Sequence, residues 1–170
     1  PLAGRMGMQL VREEMEDIAF GVLDPSTAQF INERLERLRA ESGSILTEIE
    51  SALRQALEEH GIHAEVKGRE KKPYSIYRKM QRKHLSLDQL ADIFGFRVLL
   101  NTADECYSSL GVIHQKWFAV PGRFKDYISS PKANDYRSLH TTVIGPHSQR
   151  VEMQIRTRSM HEIAERGVAA

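Results

Sequence analysis

Apolar residues return along this chain at two different spacings, and the change from one to the other divides it. Val11, Met15, Ile18 and Val22 recur every three or four positions, which predicts a first amphipathic helix ending before Asp24-Pro25. Ser26 with Gln29 has the form of a capping box for a second helix. Ile31, Leu35, Leu38, Ile45, Ile49, Leu53 and Leu57 carry its apolar stripe to Gly61, a natural C-terminal stop, with a kink expected at Gly43. From there the spacing shortens. Residues 63–67 alternate as a strand, and Pro73 suits the first turn of a helix. Residues 93–100 are nearly continuously apolar, as a buried central strand is. Thr102 or Asp104 caps a helix to about Trp117, and residues 121–133 read as a long polar loop. Residues 139–144 and 150–156 read as strands joined by Gly145-Pro146-His147-Ser148, and a last helix holds Met160-His161. The order ααβαβαββα predicts an α/β (α+β) class: a mixed sheet flanked by helices, not a doubly wound parallel one. Residues 1–60 form a helical linker or scaffold and residues 61–170 the sheet-bearing domain.

Composition narrows the setting. The 170 residues, with 41% hydrophobic and 28% charged, suit a globular domain with a sizeable core. One cysteine, Cys106, excludes an internal disulfide and fits a reducing compartment. No run is long and apolar enough for a membrane span and no signal-peptide pattern opens the chain, so a cytoplasmic location is expected. The scattered histidines never stand at zinc-ligand spacing with Cys106. Opening on Pro1-Leu2-Ala3-Gly4-Arg5 and ending inside a helix-like segment, the chain reads as a piece of a longer one.

Charge adds the first chemistry. Between Lys67 and His84 stand eight Lys/Arg and one acid, in a chain whose formal net charge is +1. Such concentration points to a phosphate-rich ligand, the alternative being a solvated basic helix. A strand, a turn at Gly68 and a helix start at Pro73 would aim backbone N–H groups and a helix dipole at an anion. Ser75 and Lys79, four apart, share a helix face turned the same way as the loop residues Arg69 and Lys71. Asp92 precedes the central strand, and Glu152 shares a face of the last strand with Gln154. Two carboxylates beside a phosphate-binding loop suit a Mg²⁺ that bridges nucleotide phosphates. Taken singly, Asp92 also fits a turn and Glu152 an exposed strand position. Tyr136, between Asn134 and Arg137, suits either base stacking or a core position, whereas His114 and Trp117 read as packing residues.

These segments resemble the synthetase domain of the RelA/SpoT-type (p)ppGpp synthetases. The matching runs are Gly68-Arg69-Glu70-Lys71 with Ser75 and Lys79, then Asp92-Ile93-Phe94-Gly95-Phe96-Arg97 and His114-Gln115-Lys116-Trp117. Arg123-Phe124-Lys125-Asp126, the stretch from Pro131 through Tyr136 to Thr142, and Val151-Glu152-Met153-Gln154-Ile155-Arg156-Thr157 with Met160-His161 complete them. The resemblance covers about residues 60 to 165 and implies a nucleotidyltransferase-like fold. It implies that the 3′-hydroxyl of GDP or GTP attacks the β-phosphorus of ATP and AMP leaves. On that resemblance Lys71, Ser75 and Lys79 hold ATP phosphates, and Arg69 and Arg97 sandwich adenine. Asp92 and Glu152 ligate Mg²⁺, with Glu152 also taking the hydroxyl proton. Tyr136 stacks guanine, Asn134 reads its edge, and Lys125, Lys132, His140 and Gln154 stand on the GDP/GTP side. Asp135 departs from a position that is often Gly, and Asp tolerates the left-handed backbone such a loop needs. The Arg-x-Lys-Asp form at Arg123 to Asp126 resembles the bifunctional enzymes. It implies a long parent with an upstream hydrolase domain, downstream regulatory domains and a link to ribosome and tRNA. A competing reading, a non-catalytic basic RNA-binding module, uses Arg78, Lys79, Arg82 and Lys83 and the loop aromatics. It leaves the acids Asp92 and Glu152 without a role.

Overall fold

The computed structural model of the chain describes residues 9–84, 86–87 and 94–166. Its elements are α1 (Gln9–Leu23), α2 (Pro25–Glu59), β1 (Glu65–Glu70), α3 (Pro73–Lys83), β2 (Phe94–Leu100), α4 (Ala103–Lys116) and β3 (Phe118–Ala119). There follow β4 (Lys125–Asp126), β5 (Leu139–Ile144), a 3₁₀ turn (Pro146–Ser148), β6 (Arg150–Thr157) and α5 (Arg158–Arg166). The strands form one mixed sheet in the order β1-β2-β6-β5-β3, with β4 also paired to β5. Only β2 and β6 run parallel; the remaining neighbours are antiparallel.

The alternation of β6 explains the division of labour between the two sheet faces. Val151, Met153 and Ile155 are fully buried on one side. Together with Val66, Phe96, Val98, Leu100, Leu139 and Val143 they pack against Ile49, Leu53 and Leu57 of α2 and Cys106, Val112 and Ile113 of α4. The opposite face carries Glu152, Gln154 and Arg156, because successive side chains of a strand point to opposite sides. A second apolar cluster, Phe20, Ala28, Ile31, Leu35 and Ile76, ties α3 to the first two helices. There Phe20 stacks on Tyr77 with ring centroids 4.9 Å apart.

Several local expectations change. The cap of α2 is Asp24, whose carboxylate accepts the Thr27 amide at 3.1 Å, with Pro25 in the first turn. Ser26 donates to that same carboxylate and Gln29 bonds Glu33, so the Ser26–Gln29 box does not form. The short Asx-type bond reaches the orphan amide first. α2 runs on through Gly43, as one helix to Glu59, and Gly61 takes a positive φ just beyond it. Thr102 caps α4 in a reciprocal box with Glu105. β1 extends to Glu70, so Gly68 and Arg69 lie on a strand rather than in a turn, and the loop at residues 121–133 contains β4. The largest reversal is α1. Val11, Met15, Ile18 and Val22 face solvent, and the stripe that packs inward holds Glu13, Glu16, Asp17 and Phe20.

Leu53 is fully buried in the main core. Leu53→Ala is expected to lower unfolding free energy by about 2–5 kcal/mol, the range for truncating a core leucine. Urea unfolding followed by circular dichroism checks it, with an unchanged slope expected.

Candidate active site

The register of the sheet builds the site. Arg97 lies opposite Gln154, Gln154 opposite His140, and His140 opposite Lys125, forming one row across four strands. In the adjacent row Arg69 pairs with Gly95, Gly95 with Glu152, and Glu152 with Thr142. A Cβ built on Gly95 would stand 3.2 Å from the Glu152 carbonyl oxygen, so glycine permits the close approach of β2 and β6 at the centre of the site.

Glu152 is the carboxylate at that centre. Lys71 Nζ donates to its Oε2 at 2.7 Å, and Arg69 Nη1 lies 3.6 Å from its Oε1. Burial pushes the carboxyl up, but the charge and hydrogen bond of Lys71, with Arg69 and His140, outweigh it and hold the group below its ordinary value. Glu152 is therefore ionised.

Glu152 lines one of two cavities on this face, and its partner Arg69 lines the other. One, of about 220 Å³, is lined by Arg69, Arg97, Lys132, Asn134, Tyr136, His140, Gln154 and Arg156, and closed by Arg12 and Glu13 of α1 and by Ala164 and Glu165 of α5. The other, of about 240 Å³, is lined by Lys79, Gly122, Arg123, Lys125, His140, Thr141, Thr142 and Glu152. His140 lines both. A third hollow between α2 and the β1–β2 edge has Arg69 and Lys71 on its wall among Leu35, Phe94 and Phe96.

The aromatic corner is closely knit. Tyr136 Oη lies 2.7 Å from His140 Nε2, and Tyr127 meets both rings edge-on. Lys132 Nζ stands 4.7 Å from the Tyr127 centroid and 4.9 Å from that of Tyr136, with Arg156 5.8 Å from the latter. Burial, with Arg12 nearby, lowers the Lys132 ammonium. The loop before Tyr136 closes on itself. Asp135 N donates to Lys132 O at 2.9 Å, Lys132 N to Tyr136 O at 3.2 Å, and Tyr136 N to Asn134 Oδ1 at 3.3 Å. Asp135 sits at φ 56°, and Arg137 pairs with its carboxylate at 3.0 Å. On the other side, Asp126 accepts from Tyr107 Oη and from the amides of Ile128 and Ser129, which anchors the loop that carries Lys125.

Of the residues singled out in the sequence, Arg69, Lys71, Lys79, Arg97, Lys125, Lys132, Asn134, Tyr136, His140, Glu152 and Gln154 meet on this face. Ser75 is half-buried in the first turn of α3 and lines none of these cavities. Asp92 lies outside the described residues. The α3 N-terminus is not open to an external anion as expected: Asp17 of α1 accepts the Tyr74 amide at 3.0 Å. Neighbouring acids do the same for side chains, Glu13 lying 3.8 Å from Arg69 and Glu14 3.4 Å from Lys72. Arg156 and Glu165 were missed. Arg156 is fully buried, and an arginine in step with Glu152 and Gln154 on an otherwise apolar strand was the available signal. His114 bonds Thr141 at 2.7 Å, a packing role. As for metals, no cluster of three or more His, Cys, Asp or Glu stands among the described residues. The ionised Glu152 carboxylate is a hard oxygen donor beside a cationic pocket, which suits a Mg²⁺ held by one or two carboxylates and by substrate phosphates. No helix among the described residues is long and apolar enough to cross a membrane.

A family profile described as "Region found in RelA / SpoT proteins" matches residues 68–170. A GTP pyrophosphokinase (rsh) of Brucella ovis is 57% identical over all 170 residues, which are 100% of this chain and 23% of that protein. A bifunctional (p)ppGpp synthase/hydrolase, SpoT, of Escherichia coli is 45% identical over the same 170 residues, 24% of its length. The chain thus spans about a quarter of the length of the curated relatives it matches. Small alarmone synthetase 1 of Bacillus subtilis, solved bound to its product pppGpp, superposes with a TM-score of 0.60 and 27% identity over 78% of each chain.

Burial lowers His140 from its ordinary 6.5 to about 4, although Glu152 pulls the other way. A depressed folded value means that the unfolded chain takes up this proton first as pH falls. The stabilisation is present above about 6.5 and is lost as pH falls through about 4. His114 and His161 are lowered in the same direction, also chiefly by burial. Unfolding measured between pH 7 and 4 is expected to show this decline, and His140→Gln to flatten part of it.

Proposed function

The chain belongs to the RelA/SpoT family, and from that premise we propose that it moves the β,γ-pyrophosphate of ATP to the 3′-hydroxyl of GDP or GTP. The observation that carries this reading is an ionised, half-buried carboxylate, Glu152, that lines one cationic cavity and contacts Arg69, which lines a second on the same sheet face. The names of its relatives, a GTP pyrophosphokinase and a pppGpp-bound alarmone synthetase, support the same chemistry. In the transfer a bond forms between the acceptor 3′-oxygen and the β-phosphorus, the bond from that phosphorus to the α-phosphate bridging oxygen breaks, and AMP leaves. The protein's part is position and charge.

Lys71 and Lys79 hold ATP phosphates with Ser75, and the planar guanidiniums of Arg69 and Arg97 stack adenine. Tyr136 stacks guanine, Asn134 reads its edge with the amide it keeps free of the loop bond, and Lys125, Lys132, His140 and Gln154 face the acceptor. Lys132 lies over the Tyr136 ring, so a base that stacks there takes the place of the ammonium. Glu152 accepts the hydroxyl proton. While Lys71 and Arg69 attend the carboxylate it is a weak base. Movement of Lys71 to the incoming phosphates and of Arg69 to adenine removes the two cations that hold the carboxyl down, and so raises its basicity when the hydroxyl arrives. Glu152 with Asp92 would hold Mg²⁺, which when bound neutralises phosphate charge. The setting proposed is cytoplasmic. The parent proposed is a bifunctional protein with an upstream hydrolase domain, in keeping with the name of the Escherichia coli relative; downstream regulatory domains and a ribosome and tRNA link complete the proposal.

Incubation with ATP, GDP or GTP and Mg²⁺ without RNA, followed by anion-exchange chromatography, is expected to yield AMP and ppGpp or pppGpp. RNA binding without turnover would favour the non-catalytic module instead. Glu152→Gln should cut synthesis by at least about 100-fold, the usual worth of a positioned base, and leave ATP affinity within about threefold by calorimetry. Tyr136→Ala should weaken GDP binding by about 1–3 kcal/mol and spare ATP. An equal loss for ATP would make Tyr136 a packing residue.

A further inference from the structure

We propose that Glu165, which lies in none of the sequence motifs, is a positioning residue that holds buried Arg156 and half-buried Arg97 of the nucleotide cavity in register. The inference rests on the functional reading above and deepens it.

Glu165 projects from α5 on the face that carries His161 and Ala164, one turn and one residue away and partly or wholly buried against the sheet. A single oxygen, Oε1, lies 3.0 Å from Arg97 Nη2 and 3.3 Å from Arg156 Nη2. His161 completes the group: its Nδ1 accepts from Arg156 Nη2 at 2.7 Å and lies 3.8 Å from Glu165. Burial and the neighbouring arginine keep that imidazole below its ordinary value, hence neutral and able to accept. Arg97 and Arg156 stand on adjacent parallel strands, with like charges that repel. Both Nε atoms are buried with no hydrogen-bond partner among the described residues. The orientation of each guanidinium therefore depends on its Nη end, where Glu165 sits.

The two arginines, side by side at one oxygen, serve different bases. Arg97 is assigned to adenine, and Arg156 lies against Tyr136, assigned to guanine. A carboxylate shared by both couples the two base sites. Without it the guanidiniums would move apart, and a stacking surface that depends on a fixed plane would lose its geometry. The Glu152 proton transfer is separate, so the loss should fall on binding rather than on the chemical step.

The test compares Glu165→Gln and Glu165→Asp with the parent. Glu165→Gln is expected to raise KM for ATP and for GDP together by about tenfold, as loss of a charge-assisted contact does, with kcat changed by less than about threefold. Glu165→Asp keeps the charge and should fall between. Side-chain ¹⁵N resonances of Arg97 and Arg156 report position independently of activity, and both should shift in Glu165→Gln. Unchanged arginine resonances, or a fall in Tm and kcat with both KM values intact, would overturn the proposal. If Glu165→Gln does not fold, Glu165→Asp carries the same readouts. A parent chain that binds neither nucleotide overturns the functional reading, and the arginine resonances then still decide whether Glu165 positions the pair.

Discussion

Gly95 of β2 lies opposite Glu152 of β6, and the side chains of the sheet repeat every second residue. A slip of one position in that parallel pairing would carry Glu152, Gln154 and Arg156 into the space held by Leu53, Leu57 and Ile113. The burial of Val151, Met153 and Ile155 on the dry face thus fixes the chemistry on the wet one. Gly95 matters because it adds no side chain where the Glu152 carbonyl of β6 comes close. The polar strand residues of the site, Arg69 on β1 and His140 on β5, inherit their places from this pair.

Gathering cations on one half-buried face destabilises the fold unless acids compensate, since an unpaired buried charge is costly. The chain compensates at three levels. Glu152 offsets Lys71 and Arg69, Glu165 offsets Arg97 and Arg156, and the inward stripe of α1 sets Glu13 and Asp17 against Arg69 and the α3 N-terminus. The outermost pair is weak: Lys72 and Glu14 are largely exposed, where such pairs contribute little. The inner pairs combine the cations that a phosphate ligand would use with the acids that hold them. A polyanionic ligand on this face would exchange one set of ionic partners for another instead of entering an uncompensated positive field.

This arrangement also explains which parts could be read in the sequence. Residues 93–100 announced a buried strand because β2 is apolar at every position but Arg97, whereas the residues around Tyr136 fitted base stacking and a core position equally, and only the family resemblance marked Asn134, Lys132 and Tyr136 as ligand residues. The orientation of α1 could not be read that way. Its apolar stripe is regular, but the surface it meets is basic, so the acidic stripe packs inward and Val22 is left exposed. Helical periodicity assumes an apolar partner and fails where the partner is charged. Glu165 was equally silent. Nothing in its own segment marks it, and its meaning comes from two arginines on strands that only the sheet brings side by side. The Ser26–Gln29 box failed for a smaller reason: Asp24, two residues earlier, caps the helix at the Thr27 amide, so Ser26 already lies inside the first turn and its hydroxyl donates to Asp24.

Asp135 shows how a charged residue can hold a left-handed backbone position. What the loop requires there is a left-handed backbone, and Asp135 adopts it at φ 56°. Asp is among the residues that do so at low cost. The backbone bonds from Asp135 to Lys132 and from Lys132 to Tyr136 then close the turn, and Asn134 takes the Tyr136 amide. The added carboxylate is met by Arg137 at 3.0 Å, with both groups about half exposed. Its charge is thereby spent locally and in water, where screening is strong. The ring of Tyr136 keeps the position that the turn gives it, under Lys132 and beside His140. The constraint at this position is conformational, and side-chain charge enters only through a neighbour that already neutralises it.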